Sequence, residues 1–464
     1  MTGVKKNQNY KIRITGMNHE GQGVGRIDGF TVFVEGLLKD ESAEIKIIKV
    51  GKSYGVGKIV KILSPSPERS QPFCSSYKRC GGCSLQHMSY AAQLKFKADL
   101  VRESIKRIGK IEDVPVHDTL GMSSGLNYRN KAQFPVGVID GKPAIGFYAV
   151  RSHDIIDNES CGIQHEAGDR VRAIVKEFIS ENKITIYNEA DGKGLIRHVI
   201  VRTGFKTGEL MVVIVINGKS LPRKERLVQM LLEGFKPESS AWTVKSVYLN
   251  VNVKNTNVIL GQESIKIYGE DTITDYIGKY RFNISPLSFY QVNPVQTEVL
   301  YGKALEYAGL TGRETVFDLY CGIGTISLFL SEKADKVYGV EVVEEAIEDA
   351  RRNAVLNNVT NAEFIAGEAE VVIPEMYKQG IRADVVVVDP PRKGCDEVLL
   401  KTLVDMQPHR IVYVSCNPAT LARDLKYLSE NGYRAVAVQP VDMFPQTAHV
   451  ETVILMTNSG SNGK

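Results

Sequence analysis

Cys416 lies in RIVYVSCNPATLARDL, after an apolar strand-like run and before a helix that Asn417 caps and Pro418 opens. Ligands bind beyond the C-terminal strand ends of open parallel sheets, and a helix N-terminus favours a thiolate. Cys416 is therefore expected to be an activated nucleophile. Uracil gives such a thiolate a use, because its C5 is a poor carbon nucleophile. Sulfur addition at C6 makes an enolate whose C5 can attack a sulfonium methyl, and a base then removes the C5 proton so that sulfur can leave. Glu451, in TAHVETVILM, is the candidate base.

Two further segments fit an adenosine cofactor. FDLYCGIGTIS (317–327) places Gly322 and Gly324 between a strand and a helix, where a ligand can approach the backbone. Glu341 ends the next strand, KVYGVE, where a carboxylate can accept both ribose hydroxyls. A dinucleotide fingerprint wants a third glycine, but Ser327 stands there, so S-adenosylmethionine fits better. DVVVVDPPRKG carries Asp389 and two prolines that stiffen the backbone at the crevice. Amine methyltransferases usually have an aromatic after this pair; Arg392 argues against amine methylation and leaves room for a phosphate contact.

From about residue 293, strands alternate with helices, and the all-apolar VVVV implies a strand buried on both faces of a parallel sheet. The last two strands lack an intervening helix and should pair antiparallel at one edge. Asn293-Pro294-Val295-Gln296 should open a helix with a capping box. Residues 126–288 are β-rich, with hairpins around Asp140-Gly141 and Thr203–Gly208. Residues 7–63 hold about five short strands, suggesting a small barrel. Residues 64–72 are a proline-rich linker. From Tyr90 to Ile108 a helix should put Leu94, Ala98, Val101, Ile105 and Ile108 inward and its lysines outward.

Cys74, Cys80, Cys83 and Cys161 are four candidate metal ligands. Four thiolates suit zinc or an iron–sulfur cluster, and their spacing leaves both open. Cys321 is expected to be a small residue lining the cofactor site, and Cys395 an ordinary thiol. Seven cysteines in 464 residues suit a reducing cytoplasm better than a disulfide framework. The polar N-terminal stretch does not read as a secretory signal, and no apolar run is long enough for a membrane span.

The net charge is only +4, but it is unevenly spread. Residues 1–61 hold eleven Lys/Arg against six Asp/Glu, and residues 71–110 hold eight against two. A basic front half suggests a polyanionic partner.

Nearly end to end, the chain resembles the RNA 5-methyluridine methyltransferase family, in particular its large-subunit ribosomal RNA members. The likeness rests on SFYQVNP (288–294), FDLYCGIGT (317–325), Glu341, VVDPPRKG (387–394), SCNPATLARDL (415–425) and HVET (449–452). It implies S-adenosylmethionine-dependent methylation of uracil C5 in 23S ribosomal RNA. Cys416 matches the nucleophile and Glu451 the base, while Gln291, Tyr320, Glu341 and Asp389 line the cofactor and uracil site. It also implies a [4Fe-4S] cluster on Cys74, Cys80, Cys83 and Cys161, with a structural role: pinning the basic loop at Lys78 and Arg79 against the β-rich domain.

The expected fold is α/β, in three parts. An OB-like TRAM barrel spans 1–63. A central β-rich domain takes 64–90 and 125–288. A Rossmann-like S-adenosylmethionine-dependent methyltransferase domain takes 91–124 and 289–464. The shorter transfer-RNA members are expected to lack both barrel and cysteine cluster. A cytoplasmic monomer with no membrane association or obligate protein partner follows. The alternatives are methylation of a T-loop uridine in transfer RNA, a non-catalytic RNA-binding iron–sulfur scaffold, and a dinucleotide oxidoreductase. The joint presence of Cys416 and Glu451 disfavours the scaffold.

Overall fold

Alternating apolar and polar residues build the first element, a closed five-stranded barrel. Its strands are Asn9–Met17, Gly23–Ile27, Phe30–Val34, Ser42–Val50 and Tyr54–Ser64, with the third parallel to the fifth. Ile12, Ile14, Val32, Val34, Ile45 and Ile47 fill it. Gly25 is required there: a Cβ would lie 2.5 Å from the Arg13 carbonyl oxygen. This computed structural model describes residues 3–238 and 240–461; residues 1–2, 239 and 462–464, including the ends of the first and last expected domains, lie outside it.

The proline-rich segment after the barrel is not a loose tether. Arg69 donates from Nε and Nη2 to the fully buried Glu41 carboxylate at 2.6 Å each, and from Nη2 to the Gly36 carbonyl at 2.6 Å. Leu38 and Ser66 donate backbone N–H groups to the same carboxylate. Burial alone would raise the Glu41 carboxyl, but these donors hold it below its ordinary value.

The central sheet runs Glu263–Gly269, Thr243–Val251, Glu209–Ile216, Ile196–Gly204, Lys131–Ile139 and Lys142–Ile145 in spatial order. Asp140 and Gly141 both have positive φ in the last hairpin, the geometry of a tight two-residue turn. Helices Glu166–Glu181 and Lys224–Gly234 contribute to the apolar core on one face. On the other, Ile200, Met211, Val213 and Val215 join the core of the following domain.

That domain is a seven-stranded sheet ordered Ala362–Ala366, Lys336–Glu341, Thr315–Leu319, Val385–Val388, Arg410–Ser415, Glu451–Asn458 and Tyr433–Val441. Only Glu451–Asn458 runs antiparallel to its neighbours. Val385 and Val387 enter one core while Val386 and Val388 enter the other, as a strand buried on both faces requires.

Two local readings are corrected. Asn293 caps the helix Pro294–Ala308 by accepting from Gln296 N, but Gln296 does not reciprocate. Its side chain donates instead to the Leu120 and Asp442 carbonyls. The helix Tyr90–Arg107 buries Ala98, Val101 and Ile105 but leaves Ile108 exposed, and it buries Lys97 completely. Lys97 can be buried because Asp442, also fully buried, pairs with it.

Candidate active site

Strand register brings Cys416 and Glu451 together. Ser415 pairs with Thr452 in the antiparallel ladder, so Cys416 and Glu451, the next residues outward, stand opposite one another just beyond the C-terminal end of Arg410–Ser415. Adjacent strands are about 4.8 Å apart, so two side chains so placed can act on one small ring. Asn417 caps the helix Pro418–Glu430 by accepting from Ala419 N at 3.0 Å, and its amide donates to the Arg392 carbonyl at 3.1 Å. Thr420 Oγ1 donates to the same carbonyl. The proline pair and the nucleophile loop are thereby fixed to each other.

These residues open into a cleft of about 1780 Å3. Gln291, Tyr320, Glu341, Asp389, Cys416 and Glu451 all line it. Gly322 and Gly324 have positive φ. A Cβ at Gly324 would press on the Phe364 ring at 2.9 Å, whereas one at Gly322 would meet nothing within 4 Å and would project into open space. Glu341 accepts from Gly322 N at 3.2 Å and Val343 N at 3.0 Å. Tyr320, itself at positive φ, donates its hydroxyl to Glu370 at 2.8 Å.

Negative groups crowd this end of the sheet. Burial pushes the Asp318 carboxyl up to about 7 against an opposing hydrogen bond from Ser327, and Asp318 Oδ1 has no partner. Burial raises Asp389 to about 6. Burial and then Asp389 hold Glu451 well above the carboxylate range, and Arg392 opposes them. Burial, then Glu451 and Asp389, push the Cys416 thiol up to about 11, and Arg392 opposes them.

The sequence reading missed several lining residues. Phe289, two positions before Gln291, also lines the cleft and is 68% exposed. The SFYQ string carried that signal. Glu368, Ala369 and Glu370, just after the edge strand Ala362–Ala366, also line the cleft. Arg129, and Phe444 and His449 on the connection before Glu451, line it as well.

The four cysteines singled out as ligands line a separate cavity of about 360 Å3 with Tyr77, Gln86 and Lys131. Burial, with the other three thiols, pushes Cys83 up to about 12, against a hydrogen bond from Gln86. Among the described residues, no three His, Cys, Asp or Glu side chains are placed as a metal site. Cys321 lines the main cleft, and Cys395 is buried in the core on one face of the seven-stranded sheet.

The family model described as tRNA (Uracil-5-)-methyltransferase matches residues 242–459, and that of the TRAM domain matches 3–60. A protein from Clostridium tetani named an uncharacterized RNA methyltransferase is 55% identical over 461 residues, 99% of each chain. The chain belongs to the RNA (uracil-5-)-methyltransferase family. A second such RNA methyltransferase, from Caldanaerobacter subterraneus, is 54% identical over 98% of this chain and 99% of its own. The crystal structure of Pyrococcus abyssi tRNA (uracil-54, C5)-methyltransferase with S-adenosyl-L-homocysteine matches with a TM-score of 0.75 and 29% identity. It covers 97% of this chain and 100% of that one. So wide a match runs into the N-terminal barrel. A full-length architecture of this kind therefore does not set ribosomal enzymes of this RNA methyltransferase family apart from transfer-RNA enzymes, contrary to the sequence expectation.

The raised Asp318 carboxyl has a consequence for stability. Between its ordinary value of 3.8 and about 7 the folded chain keeps a proton that the unfolded chain releases, so stability from this group falls as pH rises through that window. Asp318→Asn should remove the slope. Its melting temperature minus the parent's should rise from pH 4 to pH 7 and then level off. A difference independent of pH would show that Asp318 is ionised throughout.

Proposed function

We propose that the protein methylates C5 of a uracil in 23S ribosomal RNA, giving 5-methyluridine. The observation that carries the chemistry is the register that sets Cys416 opposite Glu451 in a cleft also lined by Gln291, Tyr320, Glu341 and Asp389. The open space at Gly322, the unpartnered Asp318 Oδ1 and the excess of carboxylates fit S-adenosylmethionine. When bound, it supplies an electrophilic methyl group and a sulfonium cation.

The reaction follows from the chain's own groups. Cys416 Sγ, once deprotonated, bonds to C6 of the uracil, and the ring's electron pair moves to the C5–C4–O4 enolate. C5 is then nucleophilic enough to take the methyl group. The Glu451 carboxylate removes the C5 proton, the C5–C6 double bond re-forms, and the C6–S bond breaks to return the thiolate. A carboxyl held above its usual range is a stronger base than a free one, which suits Glu451 to this proton. Gln291 and Phe289 both line the cleft, and their side chains suit an amide contact and ring stacking with an extruded base.

The ribosomal substrate is supported by the likeness of the quoted motifs to large-subunit members and by the basic front half. A transfer-RNA uridine is the second reading, favoured by the Pyrococcus abyssi enzyme's match over nearly the whole chain. Mass mapping of ribosomal and transfer RNA from a deletion strain decides between them. Loss of 5-methyluridine from 23S RNA alone is the expected result; loss confined to transfer RNA would overturn it.

Cys416→Ala should abolish turnover while leaving S-adenosylhomocysteine binding intact. Glu451→Gln, which keeps shape but loses basicity, should accumulate covalent RNA–protein adduct visible on a denaturing gel. Residual turnover of Cys416→Ala above a few per cent, as an order-of-magnitude threshold, would exclude the covalent route.

We assign the cysteine cavity to a [4Fe-4S] cluster. Three thiols of one short segment and the distant Cys161 line one space of about 360 Å3, a donor set that suits such a cluster. Cys74, Cys80, Cys83 and Cys161 would hold it, in a structural role. Anaerobically purified protein should contain iron and sulfide. Serine at any of the four should remove them; serine at Cys395 should not. Stoichiometric zinc without iron would replace the assignment.

A further inference from the structure

The strand carrying Glu451 is reached through residues 442–448, a strap between Tyr433–Val441 and Glu451–Asn458. Five consecutive carbonyls of this strap accept hydrogen bonds from distant parts of the chain. Gln296 Nε2 donates to Asp442 O at 3.2 Å, and Asn293 Nδ2 to Met443 O at 3.1 Å. Lys97 Nζ donates to Phe444 O at 3.1 Å, and the Tyr128 hydroxyl to Pro445 O at 3.0 Å. Ser84 N and Leu85 N donate to Gln446 O at 2.9 and 3.0 Å. Directional bonds thus hold the strap in addition to the packing of Met443 and Phe444 against the core.

One helix face supplies the tightest part of the grip. Tyr90, Gln93 and Lys97 are spaced three and four apart and so share a side of the helix Tyr90–Arg107. Lys97 Nζ meets Asp442 Oδ1 at 2.5 Å, with neither side chain exposed, and the Tyr90 hydroxyl donates to Asp442 Oδ2 at 2.8 Å. Gln93 and Gln446 bond reciprocally: Gln93 Nε2 to Gln446 Oε1, and Gln446 N to Gln93 Oε1, both at 3.0 Å. Neither Lys97 nor Gln93 lines the cleft, whereas Phe444, His449 and Glu451 on or just beyond the strap do.

We propose that Lys97 and Gln93 are positioning residues for the reaction: by fixing the strap they set where Glu451 meets the C5 proton. This rests on the reading of Glu451 as the base. It predicts an effect on one step only. Cys416 belongs to a different loop, tied to Arg392 rather than to the strap, so C6 addition is untouched while adduct release slows.

Two variants separate positioning from stability. Gln93→Ala removes the reciprocal pair. The double variant Lys97→Met with Asp442→Asn removes the amine without leaving a buried unpaired carboxylate. With uridine-containing RNA, both should retain S-adenosylhomocysteine affinity and the parent rate of adduct formation. Turnover should fall roughly 100-fold, the scale of an ångström misplacement, with adduct accumulating as in Glu451→Gln. Parent turnover in both variants would overturn the proposal. So would a loss of turnover without adduct that tracks a lowered melting temperature. If Glu451→Gln itself accumulates no adduct, the base assignment fails and the positioning role falls with it; if it accumulates adduct and the two variants do not, only the positioning role is lost.

Discussion

The structure depends on collecting negative charge at one end of a parallel sheet and keeping it there. Asp318, Asp389 and Glu451 are all pushed upward by burial, and the Cys416 thiol is raised with them. Arg392 is the cation that opposes this for both Glu451 and Cys416. Buried like charges disfavour one another's ionised forms, so such a site is most comfortable protonated or beside a further cation. A ligand bearing a fixed positive charge relieves the crowding, whereas a dinucleotide pyrophosphate would add to it. The electrostatics thus select between the two adenosine cofactors that the glycine turn alone leaves open.

The same crowding bears on Cys416. Burial and the carboxyls of Glu451 and Asp389 raise its thiol, and Arg392 opposes them. In the proposed reaction, a cation brought into the cleft by the cofactor favours the thiolate form.

Much of the architecture was legible because it is periodic. The barrel's alternation, the Asp140-Gly141 turn and the doubly buried Val385–Val388 strand each follow from side-chain period and turn chemistry. Cys416 was legible because strand, asparagine cap and proline follow in order. Lys97, Gln296 and Arg69 were not, because their partners lie far along the chain: Asp442, the Leu120 and Asp442 carbonyls, and Glu41. A lysine in an amphipathic helix is normally solvated, and nothing local marks one whose counter-ion returns hundreds of residues later. Arg129 escaped for the same reason, since the fold and not spacing brings it to the cleft.

Arg129 lines both cavities, and its guanidinium lies 5.9 Å from the centre of the Phe444 ring and 5.7 Å from that of Tyr128. Phe444 sits on the strap, and the Tyr128 hydroxyl holds the next carbonyl. From the other side, Ser84 and Leu85, which follow Cys83 directly, hold the strap at Gln446. Ser84 Oγ also accepts from Ala448 N at 3.0 Å. The cysteine loop therefore bears on the segment leading to Glu451 at two points, through Ser84–Leu85 and through the aromatic pair under Arg129. A group bound by those cysteines need take no part in methyl transfer to matter for it, because whatever fixes that loop also fixes the strap.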